Sequence, residues 1–228
     1  MGGEGFVGTR GSRGLLAAGA AALLLAACGG GGGSGDEAKG VALDSKQLTS
    51  VLPDAKAVPG WRMNMKPGVL EPNPELPPAA CVTSMTKKQA TACGNATFWG
   101  SSSFARKADA TTLDFWALAY KNEKAADAAY DALAGWYGGD RVGVNAEKMD
   151  LGSPGDDREA NRTEIGALGG PGTLTYIRVG TTVLGFSTGT TGRAVVPDQE
   201  VKAIAAMFVG RAQQAQDGEK PSAALPGD

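Results

Sequence analysis

The stretch Thr173-Leu-Thr-Tyr-Ile-Arg-Val-Gly-Thr-Thr-Val-Leu-Gly-Phe-Ser-Thr188 decides the fold class. Runs of β-branched and aromatic residues flank Gly180, which predicts strands over 173–179 and 181–188 joined by a tight turn. Working backward, Arg158 to Leu168 reads as a third strand, closed by the turn Leu168-Gly-Gly-Pro-Gly172. Ala96 to Arg106 alternates, with Phe98 and Phe104 on one face and Trp99, Ser101 and Ser103 on the other. Thr111 to Lys121 carries apolar groups on both faces, as a central strand does. Asn122 then caps a helix bearing Ala126, Ala129, Tyr130, Leu133 and Tyr137 at helical spacing, ended by Gly138-Gly139.

Working outward to the two ends, Pro197 opens a last helix whose Val201, Ile204, Ala205, Phe208 and Val209 form one buried stripe. Toward the amino terminus, Asp44-x-x-Gln47 is a capping box before a short helix carrying Leu48, Val51 and Leu52 and stopped by Pro53. Trp61 to Met65 reads as a short strand, Pro67 to Pro78 as an extended loop, and Lys87 to Ala92 as a turn or two of helix. The expected fold is α+β, a single domain in which helices pack against an antiparallel sheet.

The first residues set the compartment. Arg10 and Arg13 precede an apolar run from Leu15 to Ala27, too short to span a bilayer and right for a signal segment. It ends Leu25-Ala-Ala-Cys28, which resembles the lipobox of bacterial lipoprotein precursors. The expected layout is a signal peptide over 1–27, a lipidated Cys28 and Gly-rich tether over 28–42, a domain over 43–215, and a flexible tail over 216–228. Two acyl chains on Cys28 give stable anchoring, so a membrane lipid is one expected partner and the outer face of the bacterial cell membrane the expected location. With Cys28 lipidated, Cys81 and Cys93 remain as an even pair, which outside the cytoplasm is normally oxidised. The 228 residues are 42% hydrophobic with a net charge of −2, which argues against nucleic acid, since that partner favours a basic face.

Catalytic chemistry finds little support. The chain has no His, which removes Ser-His and Cys-His pairs. Ser84-Met-Thr-Lys87 matches the S-x-x-K of Ser-Lys hydrolases, but the companion S-D-N and K-T-G elements are missing. Asp156, Asp157 and Glu159 are spaced wrongly for a calcium loop, and the glycines from Gly166 to Gly172 precede a strand rather than the helix a dinucleotide needs. No cofactor or metal is expected. Trp99, Trp116, Tyr120 and Tyr176 read either as core packing or as the lining of an apolar cleft, with Ser101, Ser103 and Arg178 as polar anchors.

Four strings in order, namely the opening helix ending Leu52-Pro53, Gly152-Ser-Pro-Gly-Asp-Asp-Arg-Glu-Ala160, Tyr176-Ile-Arg-Val-Gly-Thr-Thr-Val-Leu184 and the final amphipathic helix, carry a resemblance. Together they span most of Leu43 to Ala215. The chain resembles the extracytoplasmic sensor domain of mycobacterial PknH-type receptor Ser/Thr kinases and the free-standing actinobacterial lipoproteins related to it. The resemblance implies an α+β domain with a cleft beside its sheet, no known catalysis, and a role in ligand sensing. The sequence departs from that pattern in having one Cys pair where the sensor domain has two disulfides, and in carrying neither a kinase domain nor a transmembrane helix. The expected function is therefore a lipid-anchored, non-catalytic domain that binds an unknown small ligand. The alternatives are a structural lipoprotein docking an envelope protein, or a Ser84–Lys87 hydrolase.

Overall fold

Asp44 begins the ordered elements as its spacing from Gln47 predicts. Its carboxylate accepts the Gln47 amide hydrogen at 2.8 Å, and the Gln47 side chain accepts from the Asp44 amide at 2.9 Å. That reciprocal cap starts α1 (Ser45–Val51). The computed structural model describes residues 40–73, 81, 86–137 and 142–227. After α1 come β1 (Arg62–Leu70), α2 (Lys87–Gly94), β2 (Phe98–Arg106), β3 (Thr111–Ala119) and α3 (Glu123–Tyr137). They are followed by β4 (Glu147–Lys148), β5 (Asp157–Thr163), β6 (Gly172–Val179), β7 (Thr182–Thr190) and α4 (Asp198–Gln216).

The strands form one seven-stranded antiparallel sheet in the order β1-β2-β3-β7-β6-β5-β4, a single α+β domain with four helices packed on it. The hairpin around Gly180 pairs Val179 with Thr182, and Gly180 takes a positive φ of 50°, which suits glycine. β3 is an interior strand, between β2 and the middle strand β7, in keeping with its two apolar faces.

Each face of β3 looks into a different core. Leu113 and Phe115 join Phe104, Ile177, Leu184 and Phe186 beneath Leu48 and Val51 of α1 and Val201, Ile204 and Phe208 of α4. Phe115 sits at the middle of this layer, 5.1 Å from Phe208 and 5.9 Å from both Phe104 and Phe186, ring centre to ring centre. Each such side chain stabilises the fold by about 1.5–3 kcal/mol through burial. On the opposite face Leu118, Tyr120, Tyr176 and Val183 pack with Cys93 of α2 and with Ala126, Ala129, Tyr130 and Leu133 of α3.

Three features differ from the sequence reading. β1 runs on through Pro67 to Leu70 instead of giving way to a loop. It is an edge strand, where a missing N–H is tolerated, and its pairing with β2 shifts register between Met63 and Met65 and again before Gly68. The short β4 was not expected. The segment after α4, expected to be flexible, is tied down instead: the Leu225 amide donates to the Ala57 carbonyl at 2.8 Å, and Gln214 accepts from Ser222 N at 2.8 Å. Arg211 is the anchor. It is 7% exposed and donates to the carbonyls of Ser50, Val51 and Ala223 at 2.7, 2.9 and 3.0 Å. Burial pushes its guanidinium below the ordinary arginine value, an effect only partly offset by Asp54.

At the other end of the domain, residues ahead of the expected 43 also bond to it. The Gly40 amide donates to the Glu123 carboxylate, and the Val41 carbonyl accepts from the Thr181 hydroxyl at 2.8 Å. The described chain thus starts beside the Gly180 turn. Cys28 lies outside the described residues, and among those described no helix is long and apolar enough to cross a membrane.

Candidate functional site

Helix α3 covers the second face of the sheet only where β6 and β7 meet their hairpin turn. Among the described residues the face is open beyond that cover, and antiparallel register fixes which side chains line it. One row across the strands reads Ser101, Trp116, Gly185, Tyr176, Glu159. The next reads Ser103, Asp114, Ser187, Leu174, Asn161, and the one after it Ala105, Thr112, Gly189, Gly172, Thr163.

These rows form a trough with two lobes. The first, of about 260 Å³, is lined by Met65, Trp99, Ser101, Trp116 and Leu118. The second, of about 400 Å³, lies over Gly172 and Gly189 and is walled by Val142, Leu168 and Leu174. Asp114 lines both. The two glycines face each other across β6 and β7, so the floor there is bare backbone. Trp116 lies over Gly185, the position on β7 with no side chain to oppose it, and its ring centre is 5.0 Å from that of Tyr176.

Asp114 is the one charged residue in Thr111–Ala119 and is half-buried. Among the described residues its carboxylate has no ion-pair or hydrogen-bond partner, and neither do the hydroxyls of Ser101, Ser103 and Ser187. The midpoint of an apolar trough therefore presents one acceptor-only carboxylate between two serine hydroxyls. A lone charge on a strand with apolar neighbours on both sides, Leu113 and Phe115, was the signal in the sequence that could have found it.

The structure brings Trp99, Ser101 and Trp116 together in the first lobe and places Ser103 beside Asp114. Tyr176 is 3% exposed and backs Trp116 from within. Tyr120 and Arg178 lie elsewhere, which corrects their assignment to a cleft. Tyr120 is fully buried, and its hydroxyl donates to the Cys93 carbonyl at 3.1 Å. Burial pushes that hydroxyl above the ordinary phenol value, in keeping with a permanent donor. Arg178 is held by Asp157 at 2.6 Å, Asp156 at 3.3 Å and Asp127 of α3 at 3.8 Å. Its guanidinium is opposed by burial, but these carboxylates outweigh that and raise its value. Asp156 and Asp157 are thus spent on an arginine, while Glu159 accepts from Asn161 at 3.2 Å. Among the described residues no group of three His, Cys, Asp or Glu could hold a metal.

Cys81 and Cys93 form a disulfide that closes on α2. Ser84 lies outside the described residues, and Lys87 is the exposed first residue of α2.

No family model matches the chain, and no curated protein matches it. Among solved structures it is similar to the crystal structure of the extracellular domain of PknH from Mycobacterium tuberculosis. The two share 11% identity over 78% of this chain and 98% of that one, with a TM-score of 0.49, a distant resemblance in the course of the chain alone.

Proposed function

We propose that this chain is a lipid-anchored extracytoplasmic binding protein that takes a small ligand in the trough of its sheet and performs no chemistry on it. Residues 1–27 are then a signal peptide, Cys28 carries the lipid, and residues up to 42 tether the domain to the outer face of the cell membrane. The observation that carries the binding role is the trough itself. Its two apolar lobes meet at Asp114, an arrangement common to small-molecule sites, where a few polar groups orient a mostly apolar occupant. The disulfide agrees with an oxidising compartment.

Two measurements test the reading. A Cys28→Ala variant should be released or accumulate as the unprocessed precursor; normal processing with retention in the membrane fraction would refute the anchor. A thermal-shift screen of envelope lipids, sugars and peptides should yield at least one stabilising compound, whose effect is lost in Trp116→Ala.

Exposed Leu168, Ile165 and Val144 favour a second reading, docking of an envelope protein. Specific cross-linking to one envelope protein, with no hit in the small-molecule screen, would select it.

A further inference from the structure

The trough carries a charge preference as well as a shape. We propose that its occupant is an amphipathic organic cation, with an ammonium group at Asp114 and an apolar arm in one lobe or both. This rests on the binding role proposed above and adds the chemical class of the ligand.

Four observations carry it. Asp114 lines both lobes, so an occupant of either meets the carboxylate. That carboxylate has no partner among the described residues, although Arg178 and Arg106 on the same sheet are each matched to acids. Ser103 and Ser187 flank it in register on the two neighbouring strands, giving hydroxyls that can share an N–H donor. The adjoining row brings Trp116, which lines the first lobe and whose ring face attracts a cation, braced from behind by Tyr176.

The physical argument turns on the half-buried charge. A carboxylate at the base of an apolar trough has given up part of its hydration, and it can only accept hydrogen bonds. An ammonium returns both charge and donors in one group. Hydrogen bonds between ionised partners are roughly twice as strong as those between neutral ones. A neutral hydroxyl returns less, and an anion is repelled. The lobes themselves are apolar and do not discriminate by charge, since Leu168, Leu174 and Val142 line one and Met65 and Leu118 the other. Discrimination therefore falls to Asp114.

Three probes of equal chain length separate these contributions: decylammonium, decanol and decanoate, each titrated calorimetrically into the purified protein below its micelle concentration. Decylammonium should bind about tenfold more tightly than decanol, a difference of about 1.4 kcal/mol, and decanoate should bind most weakly. Asp114→Asn should remove the gap between decylammonium and decanol, chiefly by weakening decylammonium. Equal binding of all three, a preference for decanoate, or a gap that survives Asp114→Asn would overturn the cation assignment and leave the trough as a binding site. Failure of all three to bind would overturn both. Should Asp114→Asn not fold, the ranking of the three probes on the unmutated protein still decides the question.

Discussion

The indole of Trp116 covers Gly185 on the neighbouring strand so closely that a Cβ at 185 would fall 1.9 Å from Cζ2 of the ring. Real side chains do not approach that far, so Gly185→Ala must move the indole, which already abuts Tyr176 at 5.0 Å. Overpacking of this kind costs about 1–3 kcal/mol. The urea midpoint of Gly185→Ala should fall accordingly, with ligand binding in the first lobe weakened alongside it. An unchanged midpoint would mean that the indole is not held where it is described.

Arg211 ties together two separated stretches of backbone, Ser50–Val51 and Ala223, from inside α4. Replacing it with Met keeps most of the volume but leaves buried carbonyls without donors, at about 1–3 kcal/mol for a group so stranded. Arg211→Met should therefore lower stability by about 3 kcal/mol in all. It should also expose residues 217–227 to carboxypeptidase. A variant that resists digestion as the parent does would show that Leu225 and Gln214 hold the segment unaided.

Acid should weaken the junction of β2 with α4. Arg106 donates to Asp109 at 3.0 Å and to Glu200 at 2.7 Å, and lies 4.6 Å from the centre of the Trp61 ring. Burial works against ionisation of Asp109, but hydrogen bonds from Arg106 and Thr111 outweigh it and hold its carboxyl below the ordinary value of 3.8. A carboxyl depressed in the folded state contributes stability that is fully present above the unfolded value and is lost as pH falls through the folded one. Urea midpoints should thus decline below about pH 4, and the decline should be shallower in Asp109→Asn. Parallel curves for the two proteins would assign the acid sensitivity to other groups.

The Cys81–Cys93 disulfide spans a sequence separation of 12 and meets the Tyr120 hydroxyl through the Cys93 carbonyl. Loop entropy for a closure of this size is worth about 3 kcal/mol. Replacing both cysteines with Ala should lower stability by about that amount, and Tyr120→Phe by about 1 kcal/mol. Equal melting temperatures with and without reductant would count against a bridge that stabilises the domain.

Much of this architecture is written in short-range pattern. The alternation of Phe98 and Phe104 against Trp99, Ser101 and Ser103 gives the two faces of β2 correctly, because period-two patterning is a local property of extended chain. The Asp44 box and the Gly180 turn are legible for the same reason. What escaped reading depends on distant partners. Pro67 argues for a loop until β1 is known to be an edge strand. The tail from Asp217 looks free until Arg211 is seen to reach Ser50 and Ala223. Tyr120 and Trp116 sit four residues apart on the same face, and only the placement of α2 and α3 decides that one is sealed and the other open.

The position of Gly40 has a mechanical consequence. It sits at the pole of the sheet that carries the Gly180 turn, whereas the bare glycine floor at Gly189 lies seven residues along β7 from Thr182, roughly 24 Å away at the rise of an antiparallel strand. If Cys28 carries the proposed lipid, a pull transmitted to residue 40 would load the first pole and leave the glycine floor unburdened.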